Sequence, residues 1–416
     1  MTQPPLELFP RFATDQVRTA LADTPVVMVV GPRQCGKTTL VRDLLDEDRT
    51  YLTLDDDTVL EAARSDPVGL VRGLDRVVID EVQRHPDLLR AIKFSVDSDR
   101  RPGRFLLTGS ANILALPQLS ESLAGRVAIV ELLPLSQLEL MGQRPAFLRS
   151  ALAGEVLQTT DPRVGPELVE VVLTGGFPEM IRRTDGSRRR AWARDYVNTL
   201  VRRDVSDIAE VDRQRAMLRL FRLLAQHSGQ LTNYSRLSGS VGLDDKTARR
   251  YVSILENLFV LQLVDPWFRN QLKRLVKTPK LHFLDSGLLA ALLGLTPDRV
   301  ESDRSVFGPV LESFVFAEVR RQSTWIEEQC TLSHYRDRDG FEVDIVVEDV
   351  TGDVVGIEVK ASATVHRKDF KGMERLADTV GAPFRLGVVL YDGDQVLPFG
   401  DRMFAVPLSS LWATGG

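Results

Sequence analysis

The sequence predicts a multi-domain α/β protein: a parallel sheet around a phosphate-binding loop (a P-loop), then a helical and winged-helix region, then a C-terminal α/β domain. Three observations carry that expectation. Short apolar runs at 26–30, 77–79, 105–107 and 127–132 have the length and continuity of strands buried on both faces. The first of them feeds Gly31-Pro-Arg-Gln-Cys-Gly-Lys-Thr38, a glycine loop that opens a helix. A second strand-rich stretch, 332–359, follows a helical segment late in the chain. At 416 residues the chain exceeds one ordinary core, so two to four domains are expected.

The loop fits G-x-x-x-x-G-K-[ST] in full and stands in the required strand-loop-helix setting. Gly31 and Gly36 let the backbone turn its N–H groups inward, and the helix N-terminus adds unpaired donors and a dipole that favours anions. The nucleotide-binding set is therefore Gly31, Pro32, Arg33, Gln34, Cys35, Gly36, Lys37, Thr38 and Thr39. Lys37 would reach the β- and γ-phosphates and the Thr38 hydroxyl would ligate Mg²⁺, so ATP and Mg²⁺ are the expected ligands. Cys35 occupies a variable position of the motif and reads as a spacer.

Beyond the loop, 51–55 reads as a short strand, 59–63 as helix, and Asp66-Pro67 as its end. The run 77–79 ends in Asp80 and Glu81. An ATPase needs one carboxylate to hold Mg²⁺ and another to polarise water; Asp80 takes the first role and Glu81 the second, as general base. The next strand, 105–109, ends in small polar residues, and Thr108, Ser110 and Asn112 are candidates to offer a hydroxyl or amide to the attacking water. Arg126, at the entrance of the strand 127–132, either stabilises charge on the transferring phosphoryl group, in its own subunit or a neighbour's, or is a plain surface arginine.

The series GPRQCGKTTL, VVIDEVQ, LLTGSAN, SLAGRV and LLPLSQLEL resembles the AAA-type P-loop ATPases of a bacterial and archaeal family that carries a poorly characterised C-terminal domain. The resemblance covers most of residues 10–140. It implies a sheet in the order five-one-four-three-two, with Ser110 or Asn112 in the sensor position. The chain departs from that pattern in offering no second sensor arginine in a helical lid.

Residues 133–210 are helical in character, with Leu138, Leu140, Phe147, Leu148, Leu152 and Val156 spaced as one amphipathic face. The helix 188–204 carries Arg188, Arg189, Arg190, Arg194, Arg202 and Arg203, either a solvated face or a phosphate-backbone patch. Residues 212–285 look like a winged helix: helices at 217–226, 233–241 and 243–256, the third capped by Asp244 or Asp245, then wing strands at 259–264 and 281–284. Arg269, Lys273, Arg274 and Lys277 make the hairpin between the wing strands basic. Lys246, Arg249 and Arg250 suit a third helix that enters a major groove, and a lid or protein-contact role is the competing reading.

In the last domain, a helix at 308–320 turns Phe307, Leu311, Val315 and Val319 inward, with Glu312 and Glu318 among the polar positions. Strands follow at 332–335, 341–347, 354–359 and 386–390, with Val343, Ile357 and Val359 facing the core. Glu358 and Lys360, two apart on a strand, point to the same side, and a hairpin brings Asp344 beside them. Converging carboxylates bind Mg²⁺ and a lysine steadies the attacking water in metal-dependent phosphodiester cleavage. The pattern Glu312, Asp344, Glu358-x-Lys360 is similar to the restriction-endonuclease-like family, which implies a nuclease-like domain with Glu312, Asp344 and Glu358 on the metal and Lys360 catalytic.

Bulk properties bound the partners. The chain is 43% apolar and 27% charged, no run approaches a membrane span, and Met1-Thr-Gln-Pro-Pro lacks a secretory leader, so a cytoplasmic protein with no membrane partner is expected. Two distant cysteines, Cys35 and Cys330, form no disulfide framework and no metal spacing. A net charge of −5 rests any DNA or RNA binding on local basic patches. The expected domains are 1–140, 141–211, 212–285 and 286–416. The expected function is ATP hydrolysis coupled to nucleic-acid binding or metal-dependent cleavage. The alternatives are an ATP-dependent switch on a protein partner with an inactive nuclease-like domain, and a winged-helix DNA-binding regulator; an oligomer is compatible with each.

Overall fold

Five short strands carry the first part of the chain: β1 (Val26–Val30), β2 (Thr50–Thr53), β3 (Val77–Asp80), β4 (Phe105–Gly109) and β5 (Val127–Glu131). The glycine loop joins β1 to the helix α1 (Lys37–Asp43). The strands lie in the order β2-β3-β4-β1-β5 and every pairing is parallel. This is the five-one-four-three-two order expected from the family resemblance. β1, β3 and β4 are buried at every position, which is why they read as unbroken apolar runs rather than alternating ones. Val27, Val29, Leu40, Val78, Leu106 and Val130 pack into one core. Because all five strands run the same way, the segments after β1, β3 and β4 emerge at one edge of the sheet, where open α/β sheets bind ligands. β2 ends at Thr53, so Asp55 lies in the following turn and accepts a 2.8 Å bond from Arg84 instead of extending the strand.

The computed structural model describes residues 8–43, 48–110, 125–159, 161–204, 211–269 and 278–413. They divide into two compact units, Met1–Leu135 with Leu255–Val260, and Ser136–Ile254 with Leu261–Gly416. Among the described residues no helix is long and apolar enough to cross a membrane.

The second unit begins with short helices. The amphipathic face expected over 138–156 is split into Gln137–Met141, which ends at left-handed Gly142, and Phe147–Leu152; Val156 lies beyond both. The arginine-rich helix α2 runs Gly186–Asp204. A winged-helix arrangement follows: α3 (Val211–Gln226), β6 (Gln230–Leu231), α4 (Tyr234–Val241), α5 (Asp245–Asn257), β7 (Leu261–Val264) and β8 (Lys280–Phe283), with the strands in the antiparallel order β6-β8-β7. β7 starts at Leu261, two residues later than expected, because Phe259 takes a left-handed φ of 56° that no strand continues through. Asp244 is the cap of α5, accepting the Thr247 N–H at 2.9 Å, while Asp245 accepts the Ser235 and Ser238 hydroxyls. Lys273, Arg274 and Lys277 lie outside the described residues.

The C-terminal sheet is built on the helix α6 (Gly308–Trp325) and on β9 (Cys330–Arg336), β10 (Glu342–Asp349), β11 (Val354–Lys360), β12 (Phe384–Tyr391), β13 (Leu397–Gly400) and β14 (Met403–Pro407). Its order is β13-β14-β12-β11-β10-β9, with β10 antiparallel to β11 and β12 parallel to it. The helix α7 (Lys371–Val380) places Met373 and Leu376 in the core beside Val346, Phe384 and Val389. Phe307, Leu311, Val315 and Val319 are buried as expected. Glu318, one of the polar positions of the helix, is 1% exposed, with Arg321 pairing with it at 2.8 Å and the Gln137 N–H pointing at it. One expectation fails here. Val359 is only half-buried, whereas Val343 and Ile357 are in the core.

The same unit ties the winged-helix sheet to this one. Past β7 the chain runs beside β9, with the Trp267 N–H donating to the His334 carbonyl at 2.6 Å and the His334 N–H to the Asp265 carbonyl at 3.1 Å. That pairing brings β8 to the edge where β10 and β11 present their polar side chains.

Candidate functional site

The phosphate loop is shaped by its neighbours as much as by its own sequence. A Cβ on Gly31 would sit 2.0 Å from the Leu132 carbonyl oxygen, so only glycine passes there, and Gly36 has a φ of 102° that side chains resist. Arg11, outside the motif, clamps the loop by donating to the Cys35 carbonyl at 2.7 Å and the Leu133 carbonyl at 2.5 Å. Cys35 is fully buried and its thiol donates to the Leu132 carbonyl at 3.1 Å, so the expected spacer is a packed anchor. The Lys37 ammonium, 4% exposed, donates to the carbonyls of Gly31 at 3.0 Å and Pro32 at 2.8 Å. Phosphate oxygens entering the loop would offer that ammonium charged acceptors in place of neutral ones.

Below the loop, the Thr38 hydroxyl donates to Asp80 Oδ2 at 2.9 Å. The Tyr51 hydroxyl donates to the same oxygen at 2.7 Å, and the Thr108 hydroxyl to Oδ1. Burial first, and then the bond to the Asp80 carboxylate, push the Tyr51 phenol well above its ordinary value, so it stays a donor. The donor set fits Mg²⁺ held as hard-cation sites on nucleotides are held, by one carboxylate and one hydroxyl beside phosphate oxygens. Glu81 follows in a left-handed conformation, φ 60° and ψ 39°, with its N–H donating to the Thr108 hydroxyl at 3.0 Å. A non-glycine residue held there carries strain of the kind that gathers at functional sites. Gln83, absent from the expected set, donates through Nε2 to the Glu81 carboxylate and to the Ser110 hydroxyl at 2.8 Å, linking the expected general base to the expected sensor. Arg126 pairs with Asp97 at 2.6 Å, and Asn112 lies outside the described residues.

The C-terminal candidates converge as expected, around a residue that was not expected. Lys280, at the start of β8, sends its ammonium to Asp344 Oδ1 at 3.0 Å and pairs with Glu312. The other Asp344 oxygen accepts the Val359 N–H at 3.0 Å, and Lys360 pairs with Glu358 at 2.9 Å. Burial and the Asp344 charge push Glu312 and Glu358 up to about 8 against the opposing pull of Lys280 and Lys360. Burial alone would depress Lys280, but Asp344 and Glu312 outweigh it and hold its value up. His282 and His334 are driven the other way, by burial and then by Lys280, His334 down to about 4, so both rings are neutral at neutral pH. As these groups stand they do not fit a resident Mg²⁺: both Asp344 oxygens are engaged, Glu312 faces an ammonium, and among the described residues no three His, Cys, Asp or Glu side chains are arranged to hold a metal. Lys280 carries no local signal in the sequence, because its partners lie dozens of residues away.

On the winged helix, Lys246, Arg249 and Arg250 are exposed along α5, with the Arg249 guanidinium 4.0 Å over the Tyr234 ring. On α2, Arg188, Arg194 and Arg202 are exposed, while Arg189 pairs with Glu170 at 2.5 Å.

The clamp on the loop is testable through its thiol. In the native chain Cys35 should resist a disulfide reagent, and Arg11→Ala should raise its labelling rate by about tenfold, the effect of roughly 1.4 kcal/mol of lost loop stability from two hydrogen bonds. Peptide mapping separates it from Cys330; equal rates would remove Arg11 from this role.

The chain matches known families and proteins as follows. An AAA domain family matches residues 23–141, a domain of unknown function (DUF8612) residues 165–299, and a second domain of unknown function (DUF4143) residues 307–411. Two relatives, the uncharacterized proteins Mb2031c of Mycobacterium bovis and Rv2008c of Mycobacterium tuberculosis, are each 31% identical over 410 residues, spanning 97% of this chain and 85% of theirs. Among solved structures, the Walker-type ATPase PABY2304 of Pyrococcus abyssi is similar at 15% identity and a TM-score of 0.42, over 69% of this chain and 96% of that one. AMPPCP-bound DnaA from Aquifex aeolicus is similar at 10% identity and a TM-score of 0.27, over 59% of this chain and 85% of that one. The complete phosphate loop, the strand order around it and the mycobacterial relatives that match 97% of the chain together establish that the chain belongs to the family of AAA-type P-loop ATPases that carry a C-terminal DUF4143 domain.

Proposed function

We propose that this chain hydrolyses ATP with Mg²⁺ at the edge of the first sheet. The observation that carries the reading is the Thr38 hydroxyl on the Asp80 carboxylate beneath a glycine cradle, with Glu81 next in sequence and tied through Gln83 to Ser110. Mg²⁺, held by Thr38 and Asp80, supplies neutralisation of the phosphate charge. Lys37 and the loop N–H groups bind and orient the β- and γ-phosphates. Glu81 takes the proton of the attacking water, and Ser110 holds that water in line. Gln83 is a positioning residue: its amide fixes the carboxylate that acts and the hydroxyl that steers. Lys37→Ala should abolish ATP binding. Glu81→Gln should bind ATP and lose turnover by about 10²–10⁴-fold, the usual share of a general base. Gln83→Ala should lower kcat while leaving KM near the parent value. Normal turnover in the Lys37 and Glu81 variants would refute the reading.

The work coupled to turnover is assigned to the second unit, with functional segments at 141–211, 212–285 and 286–416. Exposed Lys246, Arg249 and Arg250 on α5 support binding to a DNA or RNA backbone. Replacing Lys246 and Arg249 together by alanine should weaken binding across sequences and lower the salt slope by roughly two, one for each phosphate no longer neutralised. Unchanged affinity and slope would move the partner away from α5. A second reading, an ATP-dependent switch on a protein partner with a non-cleaving C-terminal domain, is favoured by the pairing of Lys280 with Glu312 and Asp344, which engages the acids that metal-dependent cleavage needs.

A further inference from the structure

β8, β10, β11 and α6 meet at a buried cluster of three carboxylates and two ammonium groups. Lys360 comes from the sheet that holds Asp344 and Glu358, but Lys280 opens the central strand of the winged-helix sheet, which crosses to reach the acids. Its side chain is 7% exposed and its ammonium bonds two carboxylates from two different elements, Glu312 on α6 and Asp344 on β10. Lys360 pairs with one Glu358 oxygen, the other being buried with no hydrogen-bond partner among the described residues, and the second Asp344 oxygen is fixed by the Val359 backbone N–H. A divalent cation bridging the acids would need the Glu312 and Asp344 oxygens that face Lys280 at about 2.1 Å, and an ammonium paired with both of those acids repels it at close range. An ammonium cannot become a ligand, since it has donors and no lone pair. Lys280 also reaches solvent: a pocket of about 310 Å³ between β6 and the β9–β10 hairpin is lined by Gly229, Lys280, His334, Arg336 and Glu342.

We propose that Lys280 is the resident cation of this cluster: its ammonium stands where a divalent metal stands in a nuclease-like sheet, ties β8 to α6 and β10, and excludes the metal while β8 stays in place. The cluster then works as an ionic joint between the winged-helix sheet and the C-terminal sheet, and metal reaches the acids only when β8 is drawn away. Nothing in this joint depends on ATP hydrolysis, and its test uses no nucleotide.

The full chain carrying Asp80→Asn, which silences the first unit's Mg²⁺ site, is titrated with Mn²⁺ while free Mn²⁺ is counted by electron paramagnetic resonance. With Lys280 present, no Mn²⁺ binding should depend on Asp344. Lys280→Met should gain an Asp344-dependent Mn²⁺ site, raising Mn²⁺ affinity at the cluster by roughly tenfold or more over the lysine-bearing chain, the scale on which neighbouring groups tune metal affinity, and Asp344→Asn should remove it again. If Lys280→Met does not fold, Lys280→Met with Glu312→Gln removes both charges of the pair and should bind Mn²⁺ through Asp344 and Glu358. Mn²⁺ bound by the lysine-bearing chain and lost in Asp344→Asn overturns the proposal, as does a folded lysine-free variant that binds none.

Discussion

The Asp80 carboxylate is the interaction on which the first unit turns. It stands 3% exposed at the tip of β3, where an ionised group is costly unless its oxygens are hydrogen-bonded. Three hydroxyls meet that need: Thr38 from the start of α1, Tyr51 from β2 and Thr108 from β4. Each bond fixes the end of a different element, so one buried charge sets the relative height of the loop, the edge strand and the sensor strand. Thr108 carries the network one step further, accepting the Glu81 N–H and so holding the left-handed turn that presents the proposed general base.

The two polar centres of the chain show how the choice of donor decides what a carboxylate can do. Asp80 is satisfied by hydroxyls, and a hydroxyl can give up its donor role and turn a lone pair toward a cation; Thr38 is therefore both a stabilising partner and a ligand in waiting. Glu312, Asp344 and Glu358 are charge-paired with ammonium groups, which neutralise charge and hold position but cannot coordinate a metal. Under the proposed function, the hydroxyl-bonded carboxylate of the first unit can admit a metal, while the ammonium-paired acids of the second cannot without displacing a lysine.

The sequence made one centre readable and hid half of the other for a physical reason. Strand order, cradle, Thr38, Asp80 and Glu81 are local: contiguous apolar runs and a fixed spacing place them, and the family resemblance carried the strand order. Arg11, Gln83 and Lys280 escaped because their significance is tertiary. Arg11 acts on carbonyls at residues 35 and 133, and Lys280 on acids at 312 and 344, distances along the chain that no periodicity reports. Gln83 had the better signal, lying two residues beyond Glu81 in VVIDEVQ, but its bond to Ser110 needed β3 and β4 to be neighbours first. The burial of Glu318 is likewise tertiary, since its partners Arg321 and the Gln137 N–H come together only in the fold.

The central claim is that Thr38 and Asp80 together hold the metal of a bound nucleotide. The most direct test is the phosphorus hyperfine coupling of Mn²⁺ in the complex of the chain with Mn²⁺ and a slowly hydrolysed ATP analogue. Strong coupling to the nucleotide phosphates is predicted in a one-to-one protein-bound complex, with its loss from the protein-bound fraction in Asp80→Asn. Unchanged protein-bound coupling in Asp80→Asn would contradict the claim.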